Sequence, residues 1–106
     1  MKFDGKVVLI TGGGTGIGKS AALALAREGA KVVIVGRRSG PLEETAQEIK
    51  AINGEVLAVP TDVTKVSDIE NLRDKIDSAW GRLDIIINNA GSAMRKPFME
   101  TTLEDF

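Results

Sequence analysis

Histidine, cysteine and tyrosine are all missing from the 106 residues, and aromatic side chains are few, at three phenylalanines and one tryptophan. Without cysteine there are no disulfides, and without cysteine and histidine there is no zinc site built on sulfur and nitrogen and no Ser-His-Asp or Cys-His nucleophile system. Without tyrosine no phenol can act as acid or base. An excess of one charge is missing too, since 14 basic residues stand against 15 acidic ones, and no clustered basic stripe of the kind a nucleic-acid surface uses is visible. The opening Met1-Lys2-Phe3-Asp4-Gly5-Lys6 lacks the apolar run of a secretory signal, and no stretch approaches the ~20 apolar residues that span a bilayer. These absences point to a soluble, cytoplasmic protein that binds neither nucleic acid nor membrane. What is present, 42% hydrophobic and 27% charged residues, is ordinary globular composition and suits a single domain over residues 1–106.

Val7 to Ile10 is a short β-branched run that stops at Thr11 and a cluster of glycines, the pattern of a strand buried on both faces and therefore central. From Ile17 to Glu28 the apolar residues Ile17, Ala21, Ala24 and Leu25 recur at helical spacing, with Gly29 placed as a C-cap. Lys31 to Val35 repeats the strand signal. Gly40-Pro41 followed by Glu43 and Glu44 then marks a helix start, and that helix ends near Gly54. Val56 to Val59 reads as a third strand. Ser67-Asp68-Ile69-Glu70 reads as a capping box opening a helix whose apolar face is Ile69, Leu72, Ile76, Ala79 and Trp80, closed by Gly81. Leu83 to Ile87 is a fourth strand ending in Asn88-Asn89-Ala90-Gly91; Ser92 to Glu100 reads as loop, and Thr101 to Phe106 as the beginning of a helix. The order β-α-β-α-β-α-β, with connections of helix length, predicts a parallel sheet covered on both faces by right-handed crossovers. Strand four would lie at an edge although Ile85-Ile86-Ile87 reads like an interior strand, and an apolar edge invites a partner.

The loop Thr11-Gly12-Gly13-Gly14-Thr15-Gly16-Ile17-Gly18 lies between a strand and a helix, where free backbone N–H groups and the positive helix end favour phosphate. Glycines permit the tight turn and let a diphosphate approach without an intervening Cβ. The G-x-G-x-x-G fingerprint is matched in no register; what stands there is Gly12-xxx-Gly16-x-Gly18. A rival pattern fits the same letters: residues 13–20 satisfy G-x-x-x-x-G-K-[ST], the phosphate loop of nucleotide hydrolases, with Lys19 for the β/γ-phosphates and Ser20 for magnesium. Such an enzyme also needs an acidic residue at the end of another apolar strand. Val59 runs into Pro60-Thr61 before Asp62, which keeps the rival open, whereas the fourth strand ends in Asn88. The plainer alternative makes Lys19 a solvent-facing residue of the first helical turn.

Taken together, Thr11-Gly12-xxx-Gly16-Ile17-Gly18, Asp62-Val63 after strand three and Asn88-Asn89-Ala90-Gly91 after strand four resemble the short-chain dehydrogenase/reductase family over Lys6 to Phe106. The resemblance implies a Rossmann-like, doubly wound parallel sheet with strand order 3-2-1-4, incomplete at four strands, as in the cofactor-binding first half of a family member. It further implies binding of NAD(H) or NADP(H) and hydride transfer to or from a carbonyl or alcohol carbon. On this resemblance Gly12, Gly16, Ile17 and Gly18 line the diphosphate and adjoining ribose, Asp62 bonds the adenine amino group with the Val63 backbone beside it, and Asn89, Ala90 and Gly91 pass the adenosine ribose. Asn88 ties strand four to its neighbours. The alternatives are that Asp62 caps a helix or turn and that Asn88 and Asn89 are turn residues.

A site that prefers NAD places a carboxylate after strand two for the ribose 2′-OH, and here that place holds Gly36-Arg37-Arg38. Guanidinium groups instead hold a 2′-phosphate through charge-assisted hydrogen bonds. NADP is therefore the expected cofactor, with Arg37 as its mark, Thr15 or Arg38 assisting, and NAD as the lesser expectation; otherwise both arginines solvate a loop. The family's tyrosine acid/base, the lysine four residues after it, its serine and its relay asparagine would all fall beyond Phe106. The 106-residue polypeptide is therefore expected to be incompetent alone, with a small carbonyl or alcohol substrate bound only where the second half is present. Met94, Phe98, Met99, Leu103 and Phe106 are expected to expose apolar surface and favour a homo-oligomer. A non-catalytic nucleotide-binding module is the third reading.

Overall fold

The computed structural model describes residues 3–12, 14 and 16–89. Along them run β1 (Val7–Thr11), α1 (Gly16–Arg27), β2 (Lys31–Gly36), α2 (Ser39–Ala51), β3 (Glu55–Pro60), α3 (Val66–Ala79) and β4 (Ile85–Asn88). All three strand pairings are parallel and the sheet order is β3-β2-β1-β4, the Rossmann-like order 3-2-1-4. Leu9 lies opposite Val33 on one side and Ile86 on the other, so the central strand meets an apolar neighbour at each flank.

The unbroken apolar runs of β1 and β2 follow from burial on both faces. Val7, Leu9, Val33 and Val35 point to the face where Leu72 and Ile76 of α3 pack. Val8, Ile10, Val32 and Ile34 point to the opposite face, against Ala22 and Ala26 of α1 and Leu42, Ala46 and Ile49 of α2. Each valine, leucine or isoleucine among them, taken fully from water, contributes about 1.5–3 kcal/mol before conformational entropy is charged against it. α1 and α2 therefore share one face, and α3 crosses beneath the sheet to deliver β4 to the far side of β1.

The structure rephases two helices. α1 buries Gly18, Ala22 and Ala26, with Ala21 and Leu25 of the expected stripe half-buried against the same core, whereas Ala24 is exposed and Ile17 is 80% exposed. At Gly18 the cause is steric, because the start of α1 approaches Gly12 at the end of β1 so closely that a side chain has no room. α3 begins at Val66, not at a Ser67 cap: its N-cap is Lys65, which makes no side-chain cap bond. The Lys65 N–H donates to the Asp62 carbonyl, so a turn at residues 62–65 leads the chain into the helix before Ser67 is reached. Leu72 and Ile76 are buried as the apolar face requires, Ile69 and Trp80 are half-buried, and Ala79 is exposed. At the end of α2 it is Asn53, with φ 62, and not Gly54 that takes the left-handed conformation. β4 starts at Ile85, with Leu83 buried ahead of it, and occupies the edge. The loop over residues 92–100, the helix start over 101–106 and the apolar set Met94, Phe98, Met99, Leu103 and Phe106 lie outside the described residues.

Candidate functional site

The carboxyl ends of β1 and β4 adjoin where the chain, having built outward through β2 and β3, returns to the other side of β1. Open parallel sheets bind their ligands at such a switch point. Side-chain hydrogen bonds fasten it. The Thr11 hydroxyl donates to Asn88 Oδ1 at 3.0 Å and accepts from the Asn89 N–H at 2.8 Å. The Gly12 N–H donates to the Val35 carbonyl at 2.7 Å, carrying the loop off the sheet in fixed register.

The glycines beyond β1 serve different ends. A Cβ on Gly18 would lie 2.0 Å from the Gly12 carbonyl oxygen and 2.8 Å from Asn89 Nδ2, so the start of α1, the first loop glycine and Asn89 form one close-packed wall. Gly16 has φ +55 and a Cβ there would meet nothing within 4 Å, which puts the open side of the turn at the first residue of α1. The first N–H groups of a helix have no intrahelical acceptor and carry partial positive charge. The residues present therefore fit an anionic diphosphate: backbone donors at a helix start, with the approach cleared of Cβ atoms.

A cleft of about 330 Å³ adjoins this wall and is lined by Thr11, Gly12, Gly36, Arg37, Arg38, Thr61, Asp62, Val63 and others at the ends of β1, β2 and β3. Asp62 Oδ1 accepts from the Thr64 N–H at 3.0 Å and from the Thr64 hydroxyl at 2.5 Å, while Oδ2 lies 3.7 Å from Arg37 Nη2. The turn-capping alternative for Asp62 is thus realised, with its second oxygen turned to Arg37. The Thr64 hydroxyl and N–H hold the Asp62 carboxyl below the usual carboxylate value, and Arg37 and Lys65 add to this. The Asp62 N–H donates to Asp68 Oδ2 at 2.8 Å, joining the cleft to the first turn of α3. The Arg37 side chain is 80% exposed, so its pairing with Asp62 is a surface contact of small energy. Arg38, also exposed, is the N-cap of α2 and makes no side-chain cap bond.

Lys19 is half-buried and lies at the surface, as its place in the first turn suggests, with its ammonium turned to α2. Its Nζ lies 2.5 Å from Glu48 and 3.5 Å from Glu44 on α2, and the Glu48 carboxylate, with Glu44 behind it, raises the ammonium above its ordinary pKa. An ammonium engaged by two carboxylates is directed to α2 and not to a triphosphate over the loop, which counts against the hydrolase pattern.

Of the residues singled out from sequence, the structure brings Gly12, Gly18 and Asn89 into one wall with Gly16 on its open side, and Arg37, Arg38, Asp62 and Val63 into the cleft. Ile17 stands exposed beside the turn. Thr15, Ala90 and Gly91 lie outside the described residues. Sequence reasoning missed Thr45, which is fully buried in α2 and whose hydroxyl donates to the Gly14 carbonyl at 3.3 Å. The available signal is a polar residue standing in the apolar stripe of Leu42, Ala46 and Ile49. A larger cleft, of about 720 Å³, runs along α3 to Gly81 and Leu83; it includes none of the loop glycines and is lined by charged residues such as Arg73 and Asp77.

A family model described as short chain dehydrogenase matches residues 6–106. A hydroxynaphthalene reductase of Aspergillus fumigatus is 45% identical over 107 residues, covering 100% of this chain and 39% of the relative's length. Two solved structures have similar folds: a metagenomic short-chain oxidoreductase in complex with NADP (TM-score 0.80, 33% identity, 86% of this chain and 41% of that one) and an NAD⁺-bound xylitol dehydrogenase (TM-score 0.81, 33% identity, 86% of this chain and 35% of that one). The chain thus spans about two-fifths of the length of the curated relatives it matches, at 39% and 41% for the first two.

Proposed function

Because this chain belongs to the short-chain dehydrogenase family, whose members bind nicotinamide dinucleotides, we propose that it forms the NADP(H)-binding part of an oxidoreductase acting between a carbonyl and an alcohol carbon. The observation that carries the choice of cofactor is the cleft at the end of β2, which presents Arg37 and Arg38 where a 2′-OH-binding carboxylate would otherwise stand. The exposed guanidinium of Arg37 is free to rotate from Asp62 onto a 2′-phosphate, where a charge-assisted, bidentate contact outweighs a surface ion pair. In this reading the N–H groups at the start of α1, with Gly12, Gly16, Ile17 and Gly18, hold the diphosphate. Asp62 and the Val63 backbone take the adenine, Asn89, Ala90 and Gly91 lie along the adenosine ribose, and Thr15 or Arg38 assists Arg37. The nicotinamide, when bound, supplies or accepts the hydride; these residues bind and orient it.

The chain contains no tyrosine, so the proton that accompanies hydride transfer has no phenolic donor within residues 1–106. The reading therefore assigns catalysis and the choice of substrate to sequence outside this chain. It extends to a homo-oligomeric protein of the cytoplasm.

The test is a titration with NADPH, NADH and ATP-Mg, read by Trp80 fluorescence or thermal shift. NADPH should bind tightest. Arg37→Asp should weaken NADPH by about 10- to 100-fold, the scale of a charge-assisted hydrogen-bond pair of about 1.5–3 kcal/mol, and change NADH by far less. Equal losses for the two dinucleotides would remove Arg37 from the 2′-phosphate site, and preference for ATP-Mg with loss on Lys19→Ala would restore the hydrolase reading.

A further inference from the structure

Gly14 is the middle of the three residues between Gly12 and Gly16 and lies outside the Gly12-xxx-Gly16-x-Gly18 spacing, yet it is more tightly enclosed than Gly12 or Gly16. A Cβ at this position would lie 2.9 Å from Pro41 Cβ and 3.1 Å from the Leu42 nitrogen, so the turn rests directly on the first turns of α2. Thr45, one helical turn further on and fully buried, donates its hydroxyl to the Gly14 carbonyl at 3.3 Å. A threonine is a poor choice for a buried helix position flanked by Leu42, Ala46 and Ile49 unless its hydroxyl is needed. A third tie runs parallel to these, from Lys19 in the first turn of α1 to Glu48 and Glu44 of α2. Gly14, Thr45 and Lys19 together make α2 a bracket that grips the glycine turn from the side away from the switch point.

We propose that Thr45 is a positioning residue for dinucleotide binding: by holding the Gly14 carbonyl against α2, it turns the donor side of the glycine turn toward the diphosphate. Thr45 is not placed to touch the ligand; it acts through Gly14. The role rests on the reading that the turn receives a diphosphate, and it makes a demand that a general contribution to folding does not. Loss of the hydroxyl must weaken any ligand held by its diphosphate, whatever its 2′ substituent, and spare a ligand held only through its adenine, ribose and 2′-phosphate.

Thr45→Val keeps the volume and removes the donor. In the full chain it should weaken NADPH and NADH by the same factor, about 5–10-fold for one lost hydrogen bond, and leave the affinity for adenosine 2′-monophosphate, which lacks a diphosphate, within about 2-fold. Thr45→Ser, which restores a donor, should recover both dinucleotides. Should Thr45→Val fail to fold, Gly14→Ala opens the same contact from the turn side and should give the same pattern. Unchanged affinity for both dinucleotides, or an equal loss for adenosine 2′-monophosphate, would overturn the role. Failure of the unsubstituted chain to bind either dinucleotide would overturn the functional reading beneath it.

Discussion

Gly16 and Gly18 stand two residues apart, yet a methyl group added to each meets a different obstacle. At Gly18 the new Cβ would lie 2.0 Å from the Gly12 carbonyl oxygen, backbone against backbone, so α1 must move off the end of β1. Gly18→Ala should lower folding stability by about 1–3 kcal/mol, the usual penalty for overpacking, and abolish dinucleotide binding with it. At Gly16 the Cβ would meet open space, and only the left-handed backbone at φ +55 resists it, at about 1–2 kcal/mol. Gly16→Ala should therefore remain folded and, if the proposed function holds, lose NADPH affinity, because the Cβ would stand on the open side of the turn. Urea unfolding alongside NADPH titration separates the two variants. The glycine spacing was legible in the sequence because it is a local requirement. The difference in what each glycine faces was not, since Gly12 and Asn89 are brought to Gly18 by the sheet.

Among the elements, β4 is held to β1 at both ends by polar side chains. At the far end the Asp84 N–H donates to the Val7 carbonyl at 2.9 Å, and the Val7 N–H donates to Asp84 Oδ2 at 2.8 Å. Arg82 grips the same carboxylate through Nε at 2.9 Å and Nη2 at 2.7 Å, and these contacts, Arg82 first and the Val7 N–H second, lower the Asp84 pKa below 3.8. A carboxylate whose pKa is depressed by folding stabilises the protein at pH values above its unfolded pKa, near 4, and that stabilisation is lost as pH falls through the lower folded value. Asp84→Asn should therefore destabilise the protein at neutral pH, and the difference from the parent should shrink below about pH 4, as measured by urea midpoints from pH 7 to pH 2.5. Hydrogen exchange at Ile86 and Ile87 should quicken, because among the described residues β4 is an edge strand paired with β1. Helix existence was readable from periodicity, whereas helix phase was not. In α1 the most buried residues are Gly18, Ala22 and Ala26, and at Gly18 closeness of approach to Gly12, not hydrophobicity, decides it. In α3 the turn at Asp62–Lys65 starts the helix ahead of the Ser67 signal.

At the scale of the whole molecule, a parallel sheet with α1 and α2 on one face and α3 on the other sets the glycine turn, the β2 end and the Asp62 turn around one crevice. In the proposed function this crevice binds the dinucleotide and transfers no proton. The purified 106-residue chain should therefore bind NADPH and fail to consume it with a panel of carbonyl compounds, since general acid/base help of about 10²–10⁴-fold has no tyrosine to supply it. NADPH oxidation that depends on the carbonyl and disappears on Gly16→Val would place that acid inside residues 1–106.

The amino-acid order by itself determined the alternation of strands and helices, the burial of β1 and β2 on both faces, the glycine spacing of residues 12–18 and the lack of thiol, imidazole and phenol groups within residues 1–106. These are properties of composition, of periodicity and of residues near one another along the chain. Only the tertiary structure decided that Lys19 answers to Glu44 and Glu48, that Asp62 divides its oxygens between Thr64 and Arg37, and that Thr45 reaches Gly14. The reason is distance along the chain: except for the Asp62 turn, each of these contacts joins groups 25 or more positions apart, as Lys19 and Glu44 are, and the packing of α1, α2 and β3 on a shared sheet creates the neighbourhood in which such groups meet.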